Sequence, residues 1–133
     1  VRVVADHLNV SGGSLFPAPG MVSAGWDATL TERLGSLRGV SGSSVVALVP
    51  GPLRPSPAES RALVSLGADA AVTDSVAEAM ILAARGVAVS ALTYLDAPAA
   101  GGNLGRAQLS LRQASGVTLA AVEEILRSLR AGS

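Results

Sequence analysis

The sequence contains no cysteine and no lysine, a single histidine, and one each of tryptophan, tyrosine and phenylalanine in 133 residues. Without cysteine there are no disulfides and no thiolate metal sites, and a lone His7 cannot form a histidine cluster, so neither a metal nor another cofactor is expected. Ten arginines balance ten acids for zero formal net charge, and no basic block of the kind that grips a phosphate backbone is present. A nucleic-acid partner is therefore not expected. Long hydrophobic runs are also lacking: Ala79 to Ala84 and Val87 to Leu95 fall well short of the ~20 residues of a membrane span, and Arg85 and Gly86 separate them. No signal-peptide pattern precedes them, and the expectation is a soluble cytoplasmic protein without membrane contact. With so few aromatics, Val, Leu and Ala must fill the core, which implies helices packed closely on a sheet.

A composition of 49% hydrophobic and 15% charged residues is that of a folded chain, and its length suits one domain, residues 1–133. Val1-Arg2-Val3-Val4-Ala5 reads as a buried strand already under way, as if the N-terminus were processed or the chain were one part of something larger, and Val1 to Val4 are expected at an open sheet edge that pairs with a strand of a partner chain. Ser11 to Gly20 is a Gly/Pro-rich loop, and Trp26 to Leu37 carries Leu30, Leu34 and Leu37 at helical spacing. Ser44 to Val49 has the near-continuous β-branched character of a strand covered on both faces, ended by Pro50-Gly51-Pro52. Ser56-Pro57-Ala58-Glu59 has the composition of a capping box with Pro at the first helical position, and Gly67 stops the helix. A short strand follows at Ala68 to Thr73, and Ser75-Val76-Ala77-Glu78 repeats the capping-box spacing for a helix ending near Gly86. Val87 to Leu95 reads as a third apolar strand. Thr118 to Arg130 reads as an amphipathic helix with Leu119, Val122, Ile125, Leu126 and Leu129 on one side. This alternation predicts an α/β fold, a three-layer sandwich around a parallel or mixed sheet.

Five segments in order carry a resemblance to a known family: "DHLNVSG" (Asp6 to Gly12), "SAGWD" (Ser23 to Asp27), "GPLRPSPAESRALVSLGADA" (Gly51 to Ala70), "VAEA" (Val76 to Ala79) and "APAAG" (Ala97 to Gly101). Their order resembles that of the trimeric purine nucleoside phosphorylases and the related methylthioadenosine phosphorylases. The resemblance covers almost all of this chain but only the C-terminal half or so of such an enzyme. It implies a partial nucleoside phosphorylase-like fold, without the half that supplies the glycine-rich phosphate loop.

The resemblance also identifies positions where the family's chemistry is replaced. After "GP" the family places an aromatic residue and then a purine-binding glutamate, where this chain has Arg54 and Pro55. The family's Met-Ser or Met-Thr pair, beside ribose and phosphate, is matched by Thr73 and Asp74, and an added carboxylate would repel phosphate. A Thr-Asn pair that contacts the leaving purine becomes Asp96 and Ala97, and the histidine of "LSHEE" falls on Leu111. Arg54, Pro55, Thr73, Asp74, Asp96 and Ala97 thus outline a vestigial or repurposed pocket with no catalytic residue assigned. Phosphorolysis needs an anion cradle and donors to the departing base, each such donor worth ~10²–10³ in rate, and Ala97 and Pro55 supply no donor.

Other polar residues have two readings each. His7, Asp6 and Asn9 read as fixing a strand end rather than reacting, and Trp26, at a family Tyr, reads as core. Asp74 either caps the following helix or pairs with Asp96 in a new site at the strand ends. Arg54 either meets an anion, fills the vacated pocket or lies at the surface. Gly101-Gly102-Asn103-Leu104-Gly105 lacks the Lys and Ser/Thr of a nucleotide P-loop and reads as plain loop. Two functions follow as expectations. One is a noncatalytic subunit that associates with a protein partner, either another copy or a chain such as a full-length phosphorylase. The other is part of an active purine nucleoside phosphorylase or nucleoside hydrolase, binding purine nucleoside and phosphate only where a second chain completes the site.

Overall fold

Val3 and Val4, side by side in the sequence, set the two faces of the molecule. The computed structural model describes residues 1–13, 25–51, 54–94 and 111–131. Four strands, β1 (Arg2–Asn9), β2 (Ser43–Leu48), β3 (Ala70–Val72) and β4 (Leu92–Thr93), form one sheet in the order β3-β2-β1-β4. The first three are parallel and β4 runs antiparallel to β1, so the expected α/β architecture is present with a mixed sheet. Helices α1 (Ala28–Gly35), α2 (Pro57–Ser65), α3 (Val76–Ala84) and α4 (Leu111–Ala131) complete the fold.

Adjacent side chains on a strand point to opposite faces. Val4, Val46 and Leu48 accordingly pack with Val76 and Met80 of α3 on one face, and Val3 packs with Leu34 of α1 and Ala121 of α4 on the other. Ala47, which alternates with Val46, joins Val49 and Ala68 against Leu63 of α2. Helices therefore lie on both faces of the sheet. Small residues make this possible: Ala47, Ala68, Ala114 and Ala121 are all buried, and an added Cβ at Gly39 would lie 2.6 Å from Val117 Cγ2 on α4.

The first residues are interior to the sheet, which corrects the expectation that they border an open edge awaiting a partner strand. Val3 pairs with Ser43 of β2 on one side and Leu92 of β4 on the other, and Arg2 pairs with Thr93. A bulge between Val4 and Asp6 leaves Ala5 exposed. Asp69 fastens this same, N-terminal end of the strands, accepting hydrogen bonds from the Val45 N–H at 2.9 Å and from Arg2 Nη1 at 3.3 Å.

Helix starts separate by local chemistry. Asp27 Oδ1 accepts from the Leu30 N–H at 2.8 Å, so α1 begins after Asp27 and Trp26 precedes it. The capping box of α2 is complete, with Ser56 Oγ accepting from the Glu59 N–H at 3.3 Å and Glu59 Oε2 from the Ser56 N–H at 2.7 Å. Gly67 ends that region at φ +93, and Gly86 follows α3 at φ +80. Ser75 corrects the second capping-box expectation. A cap requires extended backbone, yet the tight turn from β3 into α3 holds Ser75 at φ 67 and ψ −26. Its hydroxyl donates sideways to Asp74 Oδ1 at 3.2 Å instead.

Two further expectations change. Of Val87 to Leu95, the described residues run to Tyr94, and among them only Leu92–Thr93 is strand; the Val89 carbonyl accepts from Asp27 N–H and the Ala91 carbonyl from Val4 N–H, so the preceding stretch follows the loop before α1. On α4 the buried residues are Ala114, Val117 and Ala121, with Ile125 partly buried, whereas Leu119, Val122 and Leu126 are exposed. Alanine and valine line the inner face, and the larger side chains project outward.

Hydrogen bonding to Ser56 holds the Glu59 carboxyl below its ordinary 4.5. A depressed carboxyl contributes stability that is present above its unfolded pKa and lost as pH falls through the folded value. The Glu59 resonance is thus expected to titrate below 4.5 by NMR, and Glu59→Gln to blunt the acid sensitivity of α2; a midpoint at or above 4.5 would remove the box from solution. At Ser75, glycine relieves a left-handed cost of about 1–2 kcal/mol. Ser75→Gly is expected to raise unfolding stability by up to about 1 kcal/mol, and a clear loss would mean that the hydroxyl bond to Asp74 outweighs the backbone strain.

Candidate functional site at the ends of the parallel strands

Open α/β sheets hold ligands beyond the carboxyl ends of their parallel strands, and three such ends come together here. The Val10 N–H donates to the Leu48 carbonyl at 3.0 Å and the Val49 N–H to the Val72 carbonyl at 2.9 Å, so β1, β2 and β3 finish level. Just past them, a Cβ on Gly51 would lie 3.2 Å from Thr73 Cβ. Glycine suits this approach, because any larger residue would require Thr73 to give by a few tenths of an ångström.

This contact joins the loops on which two of the three expected parts of the pocket lie. Arg54 and Pro55 sit on the first loop, Arg54 exposed and Pro55 half-buried immediately before the Ser56 cap. Thr73 and Asp74 sit on the second, both exposed. Asp96 and Ala97 lie outside the described residues, as does Gly101 to Gly105. Leu111 is the first residue of α4.

The chemistry at the β3 end is acidic. Asp74 precedes α3, Glu78 lies in its first turn, and Asp74 does not cap the helix with its carboxylate but accepts from Ser75 Oγ. A helix N-terminus attracts anions, but here two carboxylates already occupy that field. Pro55 offers neither a side-chain acceptor nor an N–H, so the loop after β2 has no hydrogen-bonding side chain at that position. Among the described residues no group of three or more His, Asp or Glu side chains is placed to hold a metal ion. No helix among them is long and apolar enough to cross a membrane.

The β1 end is built for structure, as expected of Asn9 and Asp6. Asn9 Oδ1 accepts from the Ser11 N–H at 3.2 Å and from Ser11 Oγ at 2.7 Å, and its Nδ2 donates to the Gly13 carbonyl at 2.6 Å. Asp6 Oδ1 accepts from the His7 N–H at 2.7 Å. His7 meets Trp26 edge to face, with ring centroids 6.1 Å apart.

Compared with known family models and with curated proteins, the chain matches none.

One polar grouping was not foreseen in the sequence. His7 Nδ1, Trp26 Nε1 and Ser44 Oγ are buried without a hydrogen-bond partner among the described residues. Ser44 alternates with Val45 and so shares the face of Val4, Val46 and Trp26, while His7, paired with Val46, contacts Trp26 directly. The available signal was Ser44, the second of two serines that open an otherwise apolar strand. A buried hydroxyl without a partner costs about 1–3 kcal/mol. Ser44→Ala is therefore expected to hold or raise stability by about 1 kcal/mol in chemical denaturation; a loss beyond that size would mean that the hydroxyl has a partner in solution, such as a bound water.

Proposed function

We propose that this chain is a noncatalytic, nucleoside phosphorylase-like subunit that acts by associating with another polypeptide, which it stabilises or regulates. The observation that carries the association is α4, which is apolar on two sides. Its inner face is covered by the sheet, and Leu119, Val122 and Leu126 form a second row on the outside with exposures of 62%, 48% and 51%. A helix hydrophobic on more than one face belongs inside an assembly. The absence of catalysis is supported by what occupies the strand ends: Pro55 at the position of a base-binding glutamate, and Asp74 beside Glu78 where phosphate would have to sit.

A second reading rests on the convergence of the loops at Gly51 and Thr73. In that reading the strand ends form half of a purine nucleoside phosphorylase or hydrolase site, with Arg54 and Asp74 facing a substrate that another chain helps to hold.

The purified chain is expected to show no phosphorolysis of inosine, guanosine or methylthioadenosine in excess phosphate. Turnover within about a thousandfold of an ordinary phosphorylase would overturn the noncatalytic reading. Pro55→Glu combined with Ala97→Asn restores two base contacts but no phosphate cradle, and groups that act as a unit are strongly non-additive. No rescue is expected from that double variant. Intact mass of the native assembly reads the association itself.

A further inference from the structure

We infer that the outer row of α4 binds a second copy of this chain, with the two helices crossing antiparallel about Leu126. This rests on the reading of the protein as an associating subunit and names its partner. Residues three or four apart lie on one side of a helix, so Leu119, Val122 and Leu126 form one row. Glu123 and Arg130, both exposed, lie along one margin of that row.

The charges select the partner and the direction. Glu123 lies three residues before Leu126 and Arg130 four after it, so the two are symmetric about the position between Leu126 and Arg127. A two-fold axis there places Glu123 of each copy opposite Arg130 of the other, twice over. A parallel pair would instead carry the margin that holds Glu123 and Arg130 to opposite sides of the seam in the two copies, so that neither charge meets its opposite. An antiparallel pair centred one turn earlier would bring the two Glu123 side chains together. The parallel pair forgoes both ion pairs and the shifted antiparallel pair holds like charges face to face, which disfavours both alternatives. Glu124 and Arg127 are already joined in an ion pair within the helix and leave this margin to Glu123 and Arg130. With ~1.5 Å of rise per residue, Val122 of each copy lies against the last turn of the other helix and Leu119 just beyond its end.

Such a crossing is self-complementary, as a two-fold interface must be. It is also small, below the ~1,200 Å² at which stable complexes begin, so dimerisation is expected to depend on concentration in the micromolar range.

Sedimentation equilibrium of the full chain across that range tests the inference, with far-UV circular dichroism confirming that each variant is folded. The wild-type chain is expected to pass from monomer to dimer, and Leu126→Asp, at an exposed position, to remain monomeric and folded. Glu123→Arg and Arg130→Glu should each weaken the dimer by about tenfold or more, and the double exchange should recover most of that loss. A wild-type chain that stays monomeric, a dimer that survives Leu126→Asp, or a double exchange that recovers nothing would each overturn the inference. These outcomes are independent of catalysis: nucleoside turnover by the purified chain would sink the noncatalytic reading and leave the dimer standing. A monomeric chain that binds a phosphorylase would do the reverse.

Discussion

Everything in this fold hangs on a strand that is buried on both faces and paired along both edges. β1 gives Val3 to the helices α1 and α4 and Val4 to α3, takes β2 on one side, and takes β4 on the other at Arg2 and Val3. Because neighbouring strand residues cannot both turn the same way, a change at either valine disturbs a different layer. The bulge at Ala5 is tolerable because it falls beyond the residues that pair with β4, where β1 has to serve only one neighbour. Asp69 then ties the start of β2 to Arg2 of β1, closing at the N-terminal ends of the strands a sheet whose opposite ends are left to loops.

Local signals in the sequence were legible where one residue controls one hydrogen bond. Ser56, Glu59 and Gly67 announce a helix and its end, and each does in the structure what its chemistry implies. Ser75 has the same spacing and fails, because the length of the turn after β3 decides its backbone angle before its hydroxyl can act. The outcome for α4 has a similar origin. Hydrophobic periodicity located the helix but chose the wrong side, since the alternation of Ala114, Val117 and Ala121 is weaker in hydrophobicity than the leucine row yet fits closer to the sheet. Pairing was the least legible. Val87 to Leu95 has the composition of a central strand, and only the competing hydrogen bonds of Asp27 and Val4 show why two residues of it pair as β4.

The loops after β2 and β3 were legible as neighbours, and the partners of their side chains were not. Residues after two different strands, far apart in sequence, were expected near one another, and Gly51 beside Thr73 brings their loops into contact. Sequence could not foretell that Asp74 would spend its carboxylate on Ser75, since that bond depends on the unusual backbone angle of the serine. Nor could it foretell the grouping of His7, Trp26 and Ser44, whose members come from β1, the segment before α1, and β2.

Gly39 gives α4 a fixed rotational setting. It sits in the turn after α1 at φ +96, and Val117 lies so close that no side chain could stand between them. Val117 is therefore keyed into a notch in the backbone, and the helix cannot roll about its own axis without lifting out of it. One consequence is that the inner and outer rows of α4 are geared together: a single residue inserted directly after Val117 would leave the notch filled but swing Ala121 out of the core along with Leu119, Val122 and Leu126, by about 100° around the helix. The outward surface of this helix cannot be turned while the core beneath it is spared.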